Sequence, residues 1–408
     1  LSRAFGPAVA ALLLAGSACC CYVPTVAKSP RVSRGERPRR ELAGPKPGAR
    51  DQQPLVRVRL TAAAFPAELA CNRTTTLSCG RESRRVEPGT AVTLRLDRGI
   101  AVGVGGQAWQ RTGDTVRFQP AEEGLFTVGG RRYRGAMLAF RDSTGALALV
   151  NELALEDYLA SVVPCEIGPI NEATFEAVKA QAVAARSFTL TRLERRKGLG
   201  HALFDTYRRD QEYRGAGAEV ELARQAVRAT AGEVLLWQGA PLEALYHANC
   251  GGKTAPGAGP PLQPVFDTPD RRPGRAWCAG GKHSNWTTEM SRDEFERKLA
   301  TVAGKGDRVR VRSVRVERDG SGRAHKLDFT SDKGSFRVGG SEFRMGLGLK
   351  STLFELELGA RKVKFTGRGW GHGVGLCQEG AVAMARSGAD YRRILNHYYT
   401  GVTVGRQY

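Results

Sequence analysis

Acidic residues are scarce relative to basic ones: 41 Asp and Glu stand against 62 Lys and Arg in 408 residues, a formal net charge of +21. Such an imbalance points to a polyanionic environment or partner. Nucleic acid is the first class to test, and the chain offers it little. Zinc-finger spacing, a homeodomain pattern and an RNP-type aromatic motif are all missing, and the cations are spread along the chain rather than gathered on one amphipathic helix. We therefore expect no nucleic-acid partner; an anionic envelope surface suits the charge. A βαβ repeat and a GxGxxG after a strand are also missing, which argues against a doubly wound nucleotide fold. Beyond the first 18 residues no apolar run is long enough to span a bilayer, so membrane association is expected to be peripheral at most.

What is present is the composition of a soluble globular protein, 41% hydrophobic and 25% charged, with length for two or three domains. Residues 1–21 read as an export signal: one Arg, then Ala8-Val9-Ala10-Ala11-Leu12-Leu13-Leu14-Ala15-Gly16, then small residues and Cys19, Cys20 and Cys21. The expected location is the periplasm or cell envelope. Leu14-Ala15-Gly16 also resembles the start of a lipobox, although Ser17 and Ala18 intervene before Cys19, so a lipoprotein is an alternative. Residues 22–54, rich in Pro, Arg, Gly and Ser, form a flexible basic tether. Six further cysteines follow, and an exported chain permits disulfides; Cys71 with Cys79 is one expected pair.

From Leu55 the pattern alternates, as in Val56-Arg57-Val58-Arg59-Leu60 and Val92-Thr93-Leu94-Arg95-Leu96, so residues 55–129 are expected to be a small β domain. Residues 130–408 mix helical and strand periodicity, with a β-rich insertion at about 288–360. The expected class is α+β, with mixed helices and antiparallel sheets. Helices are predicted over 172–196 (capped by Asn171), 219–231, 292–299, 378–387 and 391–399.

Three places carry chemistry. Glu166 lies in Val162-Val163-Pro164-Cys165-Glu166-Ile167-Gly168-Pro169, where two prolines and a glycine predict an irregular loop holding the carboxylate ahead of a long helix. On that helix Lys179 and Arg186 share a face, either as a solvated stripe or as two substrate-positioning cations. Next, His247 and Cys250 in Tyr246-His247-Ala248-Asn249-Cys250-Gly251-Gly252, with Cys278 and His283 downstream, suit a tetrahedral, structural zinc site. A Cys250–Cys278 disulfide with both histidines solvated is the competing reading. A cysteine nucleophile, Cys165 or Cys250 with His247 or His372 as base, ranks behind the carboxylate. Finally, Gly367, Gly369, Gly371, Gly373 and Gly375 alternate with Arg368, Trp370, His372 and Val374, a loop expected to approach a ligand, with Trp370 stacking on sugar. A Cys165–Cys377 disulfide would staple this loop to the Glu166 segment.

Four motifs occur in one order: Tyr158-Leu159-Ala160-Ser161-Val162-Val163-Pro164-Cys165-Glu166, then Glu176-Ala177-Val178-Lys179-Ala180-Gln181-Ala182-Val183-Ala184-Ala185-Arg186-Ser187-Phe188, then His247-Ala248-Asn249-Cys250-Gly251-Gly252, then Gly369-Trp370-Gly371-His372-Gly373-Val374-Gly375-Leu376. Over about residues 130–408 the chain resembles the stage II sporulation protein D / amidase-enhancer (SpoIID/LytB) domain family. The resemblance implies peptidoglycan glycan strands as partner, cleaved by a lytic transglycosylase with Glu166 as the catalytic acid and base. It implies a substrate site including Lys179, Gln181, Arg186, Tyr246, Trp370, His372 and Gln378. It also implies that zinc, where bound, sits on His247, Cys250, Cys278 and His283. Other family members enhance a cell-wall amidase, which gives the alternative function and a second candidate partner.

Overall fold

The computed structural model describes residues 53–61, 66–97, 99–109 and 114–408. The export signal expected at 1–21 and nearly all of the tether expected at 22–54 lie outside the described residues. The class is α+β, as expected: among the described residues there are seven α-helices, and the strand pairs are antiparallel except for two short parallel ones. No described helix is long and apolar enough to cross a membrane.

Alternation builds the N-terminal sheets. In Leu55–Arg59 the side chains of Val56 and Val58 are buried while Leu55 and Arg57 are exposed, the two-residue period of a half-buried strand. Seven strands form one sheet, in the order Leu203–Phe204, Leu55–Arg59, Leu147–Ala154, Ala136–Arg141, Thr115–Pro120, Thr75–Cys79, Glu82–Val86. This sheet runs across residue 129. A six-stranded sheet, from Arg131–Tyr133 to Gln107–Trp109, adds its inner face to the same core. The expected Cys71–Cys79 bridge is not formed. Each sulfur sits at an inward position of its strand and is a buried free thiol, so these residues pack the core rather than staple a loop.

The irregular loop expected at 162–169 is helical as far as Glu166, for a clear physical reason. Residues Leu155–Glu166 are helix α1, with Pro164 inside it. An interior proline costs about 3 kcal/mol. Against that, Leu155, Tyr158, Leu159, Val162 and Val163 are all buried, each worth about 1.5–3 kcal/mol. Packing wins, and the helix stops two residues after the proline, where Ile167 turns extended and donates its N–H to the Val163 carbonyl at 3.1 Å.

Helix α2 (Phe175–Arg195) is the central post of the fold. A 3₁₀ turn, Glu172–Thr174, precedes it, and the Asn171 N–H bonds the Thr174 hydroxyl at 3.0 Å. Its run of alanines is buried all round, which lets α1, α3 (Glu221–Ala229) and the strand Glu233–Trp237 approach it closely. A second, separate core gathers Phe295, Phe329, Phe343, Phe354 and Phe365 between two three-stranded sheets, α4 (Arg292–Ala303) and α5 (Gly340–Leu347). Helices α6 (Gln378–Arg386) and α7 (Tyr391–Tyr398) return the chain to α2.

Candidate active-site groove

Glu166, the last residue of α1, forms part of the wall of a groove of about 560 Å³. It is only 3% exposed, and its Oε1 accepts the Glu212 backbone N–H at 2.8 Å. The walls come from three other segments: Ala248, then Trp277 with residues 280–283, then Gln378, Glu379 and Arg386 of α6. Lys282 and Arg386 set two cations in the lining beside the carboxylates of Glu166 and Glu379. Beside Glu166, burial pushes the Cys165 thiol up to about 12, which removes it as a nucleophile.

Sequence reasoning missed a second carboxylate in this groove. Glu379 Oε1 lies 2.6 Å from His283 Nδ1, and its Oε2 accepts the Asn249 side-chain amide at 2.5 Å. Asn249 is fixed in turn, donating to the Cys278 carbonyl and accepting the Gly251 N–H. The clue was available: Glu379 follows the glycine loop by four residues and sits in the first turn of a helix, where the dipole favours an anion.

The expected substrate residues part company. Gln378 lines the groove, and its amide donates to Gln181 Oε1 at 3.2 Å, so Gln181 is a buried support behind it. Arg186 is fully buried. It pairs with both oxygens of Glu156 at 2.8 and 2.7 Å and donates to the Glu233 and Val227 carbonyls, which makes it a structural ion rather than a substrate ligand. Lys179 pairs with Glu176 at 2.5 Å and lies over the Tyr391 ring, outside the groove lining. Tyr246 is buried, its hydroxyl accepting from Gln211 at 2.8 Å. His372 also faces inward: its Nε2 donates to the Tyr246 carbonyl at 2.9 Å and its Nδ1 accepts the Val374 N–H. Burial, with Arg344 nearby, depresses it to about 3, so it is neutral. Half-buried Trp370 carries the Lys350 ammonium 4.2 Å above its ring and meets the His283 ring at 4.5 Å; it touches the groove wall through His283 rather than lining it.

The glycine loop is likewise built against protein. A Cβ on Gly369 would sit 2.6 Å from the Asn249 carbonyl oxygen, one on Gly373 2.6 Å from the Arg323 guanidinium, and one on Gly375 2.0 Å from the Leu245 oxygen, each at positive φ. The glycines let the loop pair with residues 245–251, as the bridge between Asn249 and Trp370 records.

The four expected zinc ligands do not converge. His247 Nδ1 donates to the Val374 carbonyl at 3.1 Å, and burial holds the ring well below the usual histidine range. His283 is engaged by Glu379. Cys250 and Cys278 do approach, at 3.5 Å between sulfurs, as free thiols rather than a disulfide. Their neighbours are Cys377 and Asp267, and the four ligand atoms lie within 4.8 Å of one another, all buried. Hydrogen bonds from the Cys250 and Cys377 thiols pull Cys278 down to about 3, while burial pushes the other three groups up. Cys377 is thus committed here, away from Cys165, which is itself a free thiol; the expected staple between them is absent.

Comparison with known proteins now gives this geometry a lineage. Residues 143–237, which include α1 and Glu166, match the stage II sporulation protein domain, and residues 279–375 match a domain of unknown function. An uncharacterized protein of Brachyspira hyodysenteriae is 30% identical over 285 residues, 68% of this chain and 74% of its own. Stage II sporulation protein D of Bacillus subtilis is 29% identical over 62% of this chain and 75% of its own. The amidase enhancer of the same organism is 27% identical over 57% of this chain and 38% of its own. The chain belongs to the stage II sporulation protein D and amidase-enhancer family.

Proposed function

We propose that this protein is a cell-envelope lytic transglycosylase that cleaves peptidoglycan glycan strands, with Glu166 as its single acid and base. The observation that carries the reading is the placement of Glu166, removed from bulk water in the wall of a groove that also holds Lys282, Arg386 and the hydrogen-bonding side chain of Gln378. Denuded glycan strands carry the lactyl carboxylate of each muramic acid, and Lys282 and Arg386 offer partners for it.

One carboxyl suffices because water is not needed. Glu166 gives its proton to the glycosidic oxygen as the bond from muramic C1 breaks. The muramic C6 hydroxyl oxygen then bonds to C1, and its proton returns to Glu166. The products are a 1,6-anhydro end and a free sugar hydroxyl, with atoms conserved and the carboxyl restored. An ordinary glycosidase divides these duties between two carboxylates. The backbone N–H of Glu212 holds one oxygen of Glu166 in place, which helps to fix the carboxyl in the groove wall.

Purified protein incubated with denuded glycan strands should release anhydro-muramyl ends visible by mass spectrometry, and Glu166→Gln should abolish them while retaining strand binding. Normal turnover by that variant overturns the assignment. The similarity to an amidase enhancer supports a second reading, a wall-binding stimulator of an amidase. It requires that wild-type protein yield no anhydro ends and accelerate amidase release of stem peptides.

A further inference from the structure

We propose that Cys250, Asp267, Cys278 and Cys377 form a buried tetrahedral site for zinc, a ligand set different from the two-histidine, two-cysteine set implied by the sequence. The spacing suits the ion. Thiolates about 2.3 Å from a tetrahedral zinc lie about 3.8 Å apart. Here the Cys250 and Cys278 sulfurs are 3.5 Å apart, and all four ligand atoms fall within 4.8 Å of each other. A disulfide would need about 2.05 Å.

The surroundings are arranged for anionic ligands. The Cys250 N–H points at the Cys377 sulfur at 3.2 Å and the Gly252 N–H at the Cys250 sulfur at 3.4 Å, bonds that stabilise thiolate charge. The Tyr398 hydroxyl donates to Asp267 Oδ1 at 2.6 Å, which orients the carboxylate so that Oδ2 meets the Cys250 sulfur at 3.4 Å. Most telling is Arg323. It is 1% exposed, its Nε and Nη1 have no hydrogen-bond partner, and its Nη2 donates only to the Cys250 and Lys253 carbonyls. The Asp319 carboxylate acts on it only through space, and a buried guanidinium with no anion hydrogen-bonded to it is strongly unfavourable. Three thiolates and a carboxylate around a divalent ion leave a net negative charge beside it, which supplies that anion. Oxygen-seeking magnesium and calcium do not suit three sulfurs, whereas zinc does.

The site also explains how residues 248–284 hold their shape. Apart from isolated bridges, two short 3₁₀ turns are the only regular structure in that stretch, and so long an irregular segment inside a compact fold needs another constraint. One ion would bind it through three ligands and tie it to Cys377. Three of those ligands adjoin groove wall: Cys250 follows Ala248 by two residues, Cys278 precedes Gly280, and Cys377 precedes Gln378. Binding would displace the thiol protons to solvent.

The full chain, purified without added metal, should carry about one zinc per molecule by elemental mass spectrometry. Cys250, Cys278 and Cys377 should resist alkylation until a chelator removes the metal, and a cobalt-exchanged sample should show sulfur-to-metal charge-transfer absorption. Cys377→Ser should lose most of the zinc, whereas Cys165→Ser should keep it. Wild-type protein without a stoichiometric transition metal overturns the proposal, as does a Cys250–Cys278 disulfide in a non-reducing digest. If Cys377→Ser does not fold, the alkylation and cobalt measurements on wild-type protein decide the matter alone. Metal content is read without substrate, so failure here leaves the glycan chemistry untouched.

Discussion

Replacing Arg186 with Leu separates a structural role from a substrate role at one position. In the native fold its guanidinium meets both oxygens of Glu156 and two main-chain carbonyls with no exposure to solvent. Removing one member of a buried ion pair costs about 3–5 kcal/mol, because the partner charge stays behind. The lower part of that range is expected here. Glu156 keeps the Tyr408 hydroxyl and the Gly232 N–H, and it retains some contact with solvent. With a urea dependence of about 1–3 kcal/mol per molar, the unfolding midpoint should fall by about 1–3 M. A double variant, Arg186→Leu with Glu156→Leu, should be less destabilised than the sum of the two single changes, since neither charge is then stranded. Strand binding by the folded fraction should be unchanged. An unaltered midpoint with lost strand binding would refute the reasoning and restore the substrate role expected from the sequence.

Gly375→Ala should prevent folding or cost more than about 3 kcal/mol, since its Cβ would fall 2.0 Å from the Leu245 oxygen at a φ of +72°, whereas Gly388→Ala, with open space around its Cβ, should cost only its φ strain of about 1–2 kcal/mol; comparable unfolding midpoints would contradict the packing. The buried histidines predict acid sensitivity. His372 is depressed to about 3 in the fold by burial, with Arg344 adding to it, against about 6.5 unfolded, so the folded state binds fewer protons. Its contribution is complete above about pH 6.5 and drains away at about 1.4 kcal/mol per pH unit as pH falls toward 3. His247 acts in the same direction. In NMR titrations neither ring should protonate between pH 8 and 5 while the protein is folded; a midpoint near 6.5 for either would refute this.

Local patterns settled a good deal in advance. Two-residue alternation gave the strands at Leu55–Arg59 and Val92–Asp97, and helical periodicity gave α2, α3, α4, α6 and α7 to within a few residues at their ends. The family resemblance led to Glu166 and Gln378, which do share a groove. The missed helix α1 shows the limit of local rules, because the cost of Pro164 is visible in the chain while the apolar burial that outweighs it is not.

What the sequence by itself determined, then, is the inventory and the periodicity: five of the seven described α-helices, several strands, the acid at 166, and six thiols past the N-terminal region. What only tertiary structure decided is which groups meet. Arg186, His372 and Tyr246 turn inward to partners in other segments, and Cys250 and Cys278 find Cys377 and Asp267 instead of the two histidines. The physical reason is that burial and charge pairing act between segments far apart in the chain, whereas spacing along the chain reports only the direction in which each side chain leaves its own helix, strand or turn.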